Sequence, residues 1–392
     1  MHLFRLTLAN FRNYAALDLT LGPGLNLFMG PNGAGKSNLL EAVALLSTGR
    51  SPRAGADREL LRHEALADPI PFVRVVGETR SGDQASTIEV VAQFAGDPAR
   101  DLDPARRRAQ KRILVNRVAR RATQLVGLFP TVLFSPTEVE LVSGPPVSRR
   151  HFLDVLGCQL DPGYLRALQE YQRVLPQRNQ LLRLMREGQA QEDELAFWDE
   201  RLVTNGARLM AARQGSIRRL EPMALEALHE LSDGGEALQL RYLPALGAAD
   251  GAEGGEEGLW VERLRAALGA SRRRELAAGA TLVGPHRDDL ALQLDGFDAA
   301  VYASRGQQRC LALGLKVAEA GLLEARHGGP PVLLLDDILS ELDPERRRRL
   351  MGLLAGARQT LLTTAEPEAL AGVPMADAAR YWVEGGSVVS PS

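Results

Sequence analysis

The chain has 392 residues, of which 45 % are hydrophobic and 24 % are charged, and its formal net charge at pH 7 is −2. This composition is typical of a globular protein of two or three domains, so it excludes long disorder and a collagen-like repeat. Two cysteines are too few for a disulfide scaffold. No apolar run approaches the roughly 18 residues that suggest a membrane span, and no secretory signal is recognisable, so we expect a cytoplasmic protein with no membrane partner.

The first 30 residues predict β-structure, because apolar and polar residues alternate and a Gly-Pro-Gly turn precedes the apolar run 25–29. The pattern then becomes helical from Lys36 to Thr48, and Gly49 is a typical helix end. Alternating residues between 72 and 94 predict further strands. The N-terminal region is therefore expected to combine strands with one buried helix.

Helical periodicity follows from about residue 150 to 230. Two segments, 161–187 and 195–220, are joined near Gly188 and predict a short antiparallel helical hairpin. Pro176 is expected to kink the first helix. The acidic, glycine-rich stretch 246–258 is typical of a flexible loop.

The remainder of the chain again alternates helices and strands, which predicts an α/β fold. The expected elements are a helix at about 259–278, a strand Leu290–Leu294, a helix 307–326, a strand Val332–Leu335, a helix 344–356 and a strand Thr360–Thr363.

A phosphate-binding loop is the first motif that indicates chemistry. Residues 30–37 fit G-x-x-x-x-G-K-[ST] and lie between a predicted strand and a predicted helix, as the motif requires. Glycines let backbone N–H groups approach phosphates, and the helix N-terminus adds positive potential. The alternative is a glycine-rich turn without a ligand. We predict the ATP-binding residues Gly30, Pro31, Asn32, Gly33, Ala34, Gly35, Lys36, Ser37 and Asn38, with Lys36 on the β- and γ-phosphates and Ser37 on Mg²⁺.

Two carboxylates end the apolar run 332–335. Because unpaired buried charge is costly, Asp336 and Asp337 are expected at the C-terminal edge of their strand, where α/β sheets bind ligands. Asp336 is expected to hold Mg²⁺ together with Ser37, and Asp337 to polarise the attacking water. Helix capping is the alternative role of these acids.

The segment Ser304-Arg305-Gly306-Gln307 precedes an amphipathic helix, so Ser304 is first of all a candidate N-cap. Ser-x-Gly-Gln about 30 residues before a two-acid strand also resembles the signature motif of the ATP-binding-cassette superfamily. That resemblance implies that Ser304 binds the γ-phosphate of ATP held by a second molecule. The segment Ser340-Glu341-Leu342-Asp343 resembles the loop that couples the two sites of such a dimer.

Collinear segments across effectively the whole chain resemble the RecF family. They are Asn10–Tyr14, the loop 30–37, Phe134-Ser135-Pro136, Gly144-Pro145-Pro146 with Arg149–Asp154, Gly284–Asp289, Ser304–Gln308 and Leu334–Asp343.

The resemblance implies a fold and a division of the chain. It implies an ATP-binding-cassette-type head with a phosphate loop, in which helices flank a mixed sheet, made of residues 1–150 and 280–392. A helical-hairpin arm, 151–279, is inserted. Arg12 resembles a position that contacts nucleotide in related heads, although a surface salt bridge is equally consistent with its position. His286 and Arg287 are candidates to support the signature region.

The resemblance also implies an activity. It suggests an ATP-dependent homodimer that binds double-stranded DNA at gaps or single-strand junctions and helps a RecR-type mediator load recombinase. Weak, DNA-stimulated ATP hydrolysis would reset the dimer. Relative to transporter cassettes, Arg305 replaces glycine, Asp337 replaces glutamate, and no histidine follows the last strand, where Thr363 and Thr364 stand. These departures favour slow hydrolysis.

Eight basic residues within 106–121 form the candidate DNA contact, with Arg106, Arg107, Arg108, Lys111 and Arg112 the first choice. A solvated charged face is the alternative. The competing function is a transporter-coupling ATPase. The long interval between Lys36 and Ser304 argues against it, because it leaves room for a helical arm that such subunits do not need. The heptads are too few for the head of a long coiled coil.

Overall fold

A computed structural model describes residues 1–82, 84–95, 108–232, 234–246, 256–370, 373 and 377–389, with backbone only at 95, 108 and 369. The chain forms two compact units. The first comprises Met1–Glu138, Ala227–Gly234 and Leu313–Ser392, and the second comprises Val139–Glu226 and Gly235–Ala312. Residues 139–150 and 280–312 thus cluster with the helical segment, whereas the sequence analysis assigned them to the head. The division into a head and an arm remains a prediction.

The first unit contains two six-stranded sheets among the described residues. The first sheet is antiparallel, in the order β2-β1-β4-β5-β6-β7. Its strands are β1 (His2–Phe11), β2 (Tyr14–Thr20), β4 (Phe72–Ser81), β5 (Gln84–Ala95), β6 (Arg108–Val115) and β7 (Val118–Arg120).

The second sheet has the order β15-β14-β3-β13-β12-β8, and all neighbours except the edge strand β15 run parallel. Its strands are β3 (Gly24–Met29), β8 (Thr131–Phe134), β12 (Val332–Asp336), β13 (Gln359–Thr364), β14 (Ala379–Glu384) and β15 (Ser387–Val389). The strands β3, β12 and β13 coincide closely with the predicted ones. In a parallel sheet, the residues that follow the strands meet at one edge.

Helix α1 (Lys36–Thr48) packs against both sheets and is buried on almost every side. Its side chains Leu39, Val43 and Leu46 belong to one apolar core with residues of both sheets, such as Val75 and Leu334. The helix ends at Gly49 in the left-handed conformation, as predicted. The remaining α-helices of this unit are α2 (Ala122–Leu125) and α10 (Pro344–Leu353).

The second unit is mainly helical. Its helices are α3 (Glu140–Ser143), α4 (Pro146–Leu160), α5 (Pro162–Arg186), α6 (Leu195–Leu231), α7 (Glu257–Ala278) and α8 (Ala299–Tyr302). The helix α9 (Arg305–His327) begins in this unit and ends in the first, and the last residues of α6 also belong to the first. The strands β9 (Leu238–Leu243), β10 (Asp289–Leu294) and β11 (Phe297–Asp298) form a small antiparallel sheet.

The predicted helical hairpin is present in this unit. Ion pairs join Asp161, the N-cap of α5, to Arg208, and Glu170 on α5 to Arg201. The residue earlier in α5 thus pairs with the residue later in α6, so the two helices are antiparallel. Helix α5 continues as one element through Pro176. Of the predicted loop 246–258, residues 247–255 lie outside the described residues.

A fully buried arginine stabilises this hairpin. The guanidinium of Arg178 donates to the carboxylates of Asp199 and Glu275 and to the hydroxyl of Thr281, each at 2.7 Å. Buried charge requires such pairing, because removing one partner leaves an uncompensated ion. The network therefore ties α5, α6 and α7 together.

Candidate nucleotide site

The phosphate loop joins β3 to α1 in the first unit, where the sequence places it. At Gly30, with φ 151°, a Cβ atom would lie 2.1 Å from the carbonyl oxygen of Val383 on β14. At Gly35, with φ 114°, it would lie 2.5 Å from the side chain of Asn13. Glycine is therefore required at both positions for close packing as well as for backbone conformation.

Lys36 is folded back onto its own loop. Its ammonium donates hydrogen bonds to the carbonyl oxygens of Gly30, at 2.7 Å, and Pro31, at 2.9 Å. The residue is buried, and this burial lowers the pKa of Lys36, whereas the nearby Asp337 and Asp336 raise it. The cation thus already lies in a pocket of carbonyl oxygens and carboxylates.

Asp336 contacts both the loop and the neighbouring strand. The hydroxyl of Ser37 donates to Asp336 Oδ1 at 2.7 Å, and the hydroxyl of Thr363 donates to the same oxygen at 2.9 Å. Residues 299 positions apart in the chain are therefore in direct contact. The structure brings together the two residues expected to hold Mg²⁺.

Asp337 has an unusual backbone. Its φ of 51° lies in the left-handed region, and its N–H donates to the hydroxyl of Thr363 at 2.9 Å. Its carboxylate oxygen Oδ1 is buried and has no hydrogen-bond partner among the described residues. Burial raises the pKa of Asp337 above its ordinary value, although Lys36 lowers it. An unpartnered carboxylate oxygen can accept a proton from a bound molecule.

Two residues that we did not assign to the site hold the loop from behind. The amide of Asn13 donates to the carbonyl oxygen of Ala34 at 2.8 Å, and the hydroxyl of Tyr14 donates to that of Gly35 at 3.0 Å. Asn38, predicted to bind ATP, donates to Asn13 Oδ1 at 2.9 Å. The only sequence signal for Asn13 and Tyr14 is their position in the family-like segment 10–14.

Arg12 forms a bidentate salt bridge. Its Nε and Nη2 donate to the two carboxylate oxygens of Glu41 at 2.9 Å and 2.6 Å, and its Nη1 donates to the carbonyl oxygen of Glu59 at 2.6 Å. Glu41 is fully buried, so Arg12 neutralises a charge of the core. The structure thus shows the salt-bridge role, and nucleotide contact remains a prediction.

The signature segment begins α9 and is described within the second unit. Ser304 Oγ accepts from the backbone N–H of Gln307 at 3.2 Å, and Gln307 Oε1 accepts from the N–H of Ser304 at 3.0 Å. This reciprocal pair is a capping box, so the N-cap role of Ser304 is confirmed. Ser304 and Arg305 are exposed, and Gly306 is partly exposed.

The predicted coupling loop follows β12 directly. The hydroxyl of Ser340 donates to the carbonyl oxygen of Asp337 at 2.7 Å, which connects the loop to the acidic pair. Leu342 is buried, whereas Glu341 is exposed. Asp343 caps α10, and the backbone N–H groups that it accepts lower the pKa of Asp343.

The basic cluster is only partly described. Arg106 and Arg107 lie outside the described residues, and only the backbone of Arg108 is described. Lys111 forms an ion pair with Asp57 at 2.5 Å, whereas Arg112 is exposed. Of the two candidates with described side chains, Arg112 is the more exposed, and DNA contact by this cluster remains a prediction.

His286 lies in the second unit, close to the start of β10. Its Nδ1 lies 2.7 Å from the hydroxyl of Tyr171, and its Nε2 lies 3.3 Å from the carbonyl oxygen of Thr281. Burial lowers the pKa of His286 to about 4, with Arg287 among the cations that lower it further. The imidazole is therefore neutral at pH 7.

A metal at the loop would be held by few protein atoms. The described part of the chain contains no cluster of three or more His, Cys, Asp or Glu side chains suited to a metal ion. Mg²⁺ in nucleotide sites needs only one or two protein ligands besides phosphate and water. The oxygens of Ser37 and Asp336 fit that requirement. No helix within the described ranges is long and apolar enough to cross a membrane.

The family model described as the RecF/RecN/SMC N terminal domain matches residues 2–379. The chain is 44 % identical to the DNA replication and repair protein RecF of Chloroflexus aurantiacus over 99 % of both chains. It belongs to the RecF family. It is 43 % identical to the RecF protein of Herpetosiphon aurantiacus over 93 % of both chains.

Solved structures agree with this assignment. The recombination mediator protein RecF with ATP, of the RecFOR pathway, superposes with a TM-score of 0.84 at 33 % identity and covers 100 % of this chain and 98 % of that one. The Smc head domain from Pyrococcus furiosus gives a TM-score of 0.52 at 15 % identity, covers 100 % of this chain and 96 % of that one, and shows the fold alone. The predicted fold class, an ATP-binding-cassette-type head with a helical arm, is confirmed.

Proposed function

We propose that this RecF-family chain is an ATP-dependent dimerising protein of recombinational repair. The observation that carries the proposal is the convergence of the phosphate loop with Asp336 and Asp337 at one sheet edge, linked by the hydrogen bond from Ser37 to Asp336. The RecF relatives are called DNA replication and repair proteins, and one RecF structure contains ATP. These two facts suggest the ligand and the process.

ATP would bind with its phosphates on the loop 30–37. Backbone N–H groups at the start of α1 and the Lys36 ammonium supply positive potential where the phosphates bind. In the described conformation Lys36 is held by two carbonyl oxygens, which the phosphate oxygens would replace. Ser37 and Asp336 would hold Mg²⁺, which supplies charge neutralisation at the phosphates when bound.

Asp337 would accept a proton from the water that attacks the γ-phosphate. Its Oδ1 is buried without a hydrogen-bond partner among the described residues, and its raised pKa makes it a better proton acceptor than an exposed aspartate. Because aspartate is shorter than the glutamate that is usual in transporter cassettes, we expect slow hydrolysis, which DNA would stimulate. Slow turnover suits a switch that resets a dimer.

The dimer would form around the nucleotide. Ser304 caps α9 and is exposed, so its hydroxyl and the helix N-terminus are available to an anion from outside the chain. We infer that they contact the γ-phosphate on a second copy. The segment Ser340–Asp343 is hydrogen-bonded to Asp337 through Ser340, and it would then couple dimer formation to the position of Asp337.

Duplex DNA, especially at gaps and single-strand junctions, is the proposed substrate, and a RecR-type mediator the proposed protein partner. The RecFOR pathway named for the solved RecF structures supports the mediator. Arg112 and the arginines 106–108 are the proposed phosphate contacts. The alternative, a transporter-coupling ATPase, has less support because the curated relatives are named for DNA repair.

Two measurements with the wild-type chain test the proposal. Light scattering after size exclusion, in ATP, in ADP and without nucleotide, should show a dimer in ATP only. A mobility shift with blunt duplex and gapped duplex should show tighter binding in ATP. A chain that stays monomeric in ATP and binds DNA equally with and without nucleotide would contradict the proposal.

A further inference from the structure

Thr363 is a polar residue inside a strand whose six residues are all buried. Its strand, β13, lies between the strand that leads into the phosphate loop and the strand that ends in the acids. In the register of the sheet, Thr363 is opposite Asp336 on one side and Phe28 on the other. A buried hydroxyl requires hydrogen-bond partners, so those of Thr363 indicate its role.

The Thr363 hydroxyl joins the two adjacent acids. It donates to Asp336 Oδ1 at 2.9 Å and accepts from the backbone N–H of Asp337, also at 2.9 Å. One hydroxyl carries one proton and two lone pairs, so both bonds are made at once. The same carboxylate oxygen of Asp336 accepts from Ser37 at 2.7 Å.

Both contacts constrain groups that have some freedom. The Asp336 carboxylate could rotate about its side chain, and two hydroxyl donors on one oxygen fix the orientation in which it meets Ser37. Asp337 occupies the left-handed region, which side chains generally disfavour, although Asp and Asn enter it more readily than most residues. Its N–H is held by the Thr363 hydroxyl and, at 3.2 Å, by the Thr363 carbonyl oxygen.

We propose that Thr363 is a positioning residue of the nucleotide site, which orients Asp336 for Mg²⁺ and holds the Asp337 backbone in place. The inference rests on the proposed function, because it assumes that Ser37 and Asp336 hold Mg²⁺ with ATP. Partners that hydrogen-bond metal-ligating carboxylates typically contribute 10–100-fold to metal affinity or activity. We expect an effect of that size from the loss of the hydroxyl.

The adjacent threonine provides a matched control. The Thr364 hydroxyl donates to the carbonyl oxygen of Glu366 at 3.0 Å and accepts from its N–H at 3.1 Å. These bonds form a local turn, and neither reaches the acidic pair. Thr363→Val and Thr364→Val thus make the same chemical change in the same buried strand, with different partners lost.

The experiment compares wild type, Thr363→Val, Thr363→Ser and Thr364→Val. Binding of a fluorescent ATP analogue is titrated with Mg²⁺ and repeated in EDTA, and kcat and KM for ATP are measured. Thr363→Val should need about 10–100-fold more Mg²⁺ to reach half of the Mg²⁺-dependent increase in binding, with a similar fall in kcat. Binding in EDTA should persist. Thr363→Ser should restore both values, and Thr364→Val should match wild type.

The proposal is wrong if Thr363→Val retains the wild-type Mg²⁺ requirement and kcat, or if folded Thr364→Val loses as much. Loss of binding in EDTA would also overturn it, because the hydroxyl would then support the loop itself. Should Thr363→Val fail to fold, Thr363→Ala against Thr363→Ser makes the same comparison. Wild-type binding of ATP reports separately on the proposed function, and the ratio of variant to wild type reports on Thr363.

Discussion

The phosphate loop in the first unit and the signature segment in the second unit are both helix N-termini with anion-binding potential, but their polar groups are satisfied differently. Lys36 and Ser37 are bonded to loop carbonyl oxygens and to Asp336. Ser304 is exposed and bonded only to its own capping partner among the contacts described for its side chain. Both devices favour an anion at a helix N-terminus.

This difference indicates that the phosphate loop and the signature segment differ in where their polar groups find partners. The loop is complete within one unit, because its hydroxyl is hydrogen-bonded to Asp336 and its cation lies near both acids. Under the proposed function, the signature segment would bind an anion that a second copy of the chain holds. Nucleotide binding would then depend on the first region and dimerisation on both, so variants should separate the two.

The largest effect is expected from Lys36→Met. The lysine is the positive charge at the phosphates, so ATP binding should be abolished, and dimerisation and ATP-stimulated DNA binding should be lost with it. Isothermal titration with ATP, followed by sizing in ATP, checks this. Wild-type ATP affinity in a folded Lys36→Met chain would show that the loop assignment is wrong.

The next largest effect is expected from Ser304→Arg, which should abolish dimerisation without affecting ATP binding. ATP binding should survive, because each copy keeps its own loop, whereas the bulky cation should block the second copy and abolish the ATP-dependent dimer. Ser304→Asn, which retains capping ability, is the control for the helix N-terminus. A normal dimer of Ser304→Arg in ATP would refute the shared site.

Asp337→Asn should have a more limited effect than Lys36→Met or Ser304→Arg, because it should affect only ATP hydrolysis. A general base contributes about 10²–10⁴-fold, so turnover should drop by at least ~100-fold while ATP binding and the dimer persist. Asp336→Asn should weaken both dimerisation in Mg·ATP and turnover. Single-turnover hydrolysis and sizing distinguish the two variants. Normal hydrolysis by Asp337→Asn would show that another residue is the general base, with Glu341 as the next candidate.

The basic cluster should affect DNA binding without affecting ATP binding. Each phosphate contact contributes about −0.9 to the slope of log K against log salt concentration on duplex DNA. Replacing Arg106, Arg107 and Arg108 by Ala should flatten that slope by roughly two or three units. Lys111→Ala should change it less, because Lys111 is already paired with Asp57. An unchanged slope in the triple variant would exclude this cluster from the DNA contact.

The smallest expected effect is a dependence of folding stability on pH, caused by His286 in the second unit. The pKa of His286 is about 4 in the folded chain, below the ordinary 6.5, so the unfolded chain binds an extra proton between these values. Stability should therefore fall as pH drops from about 6.5 towards 4, by at most about 3 kcal/mol from this group. Urea unfolding at several pH values should show this loss in wild type and less of it in His286→Gln. An equal dependence of the free energy of unfolding on pH in wild type and His286→Gln would contradict this prediction.

The sequence by itself determined the local elements of the nucleotide site. The predicted helix Lys36–Thr48 has the bounds that the structure gives, and the two acids do end a buried strand. These predictions succeed because a glycine-rich loop, a helix stop and an apolar run are local patterns. Capping by Ser304 was predictable for the same reason.

Only the tertiary structure decided which distant residues meet. The motifs predict that Ser37 and Asp336 lie together, and the structure places them in contact. No sequence pattern pairs Asn13 with the loop or Thr363 with both acids, because strand order and register set those contacts. Arg12 shows the same limit, since its partner Glu41 becomes fully buried only when α1 packs between two sheets. Burial and sheet register are properties of the whole fold, and they determine which polar groups must pair.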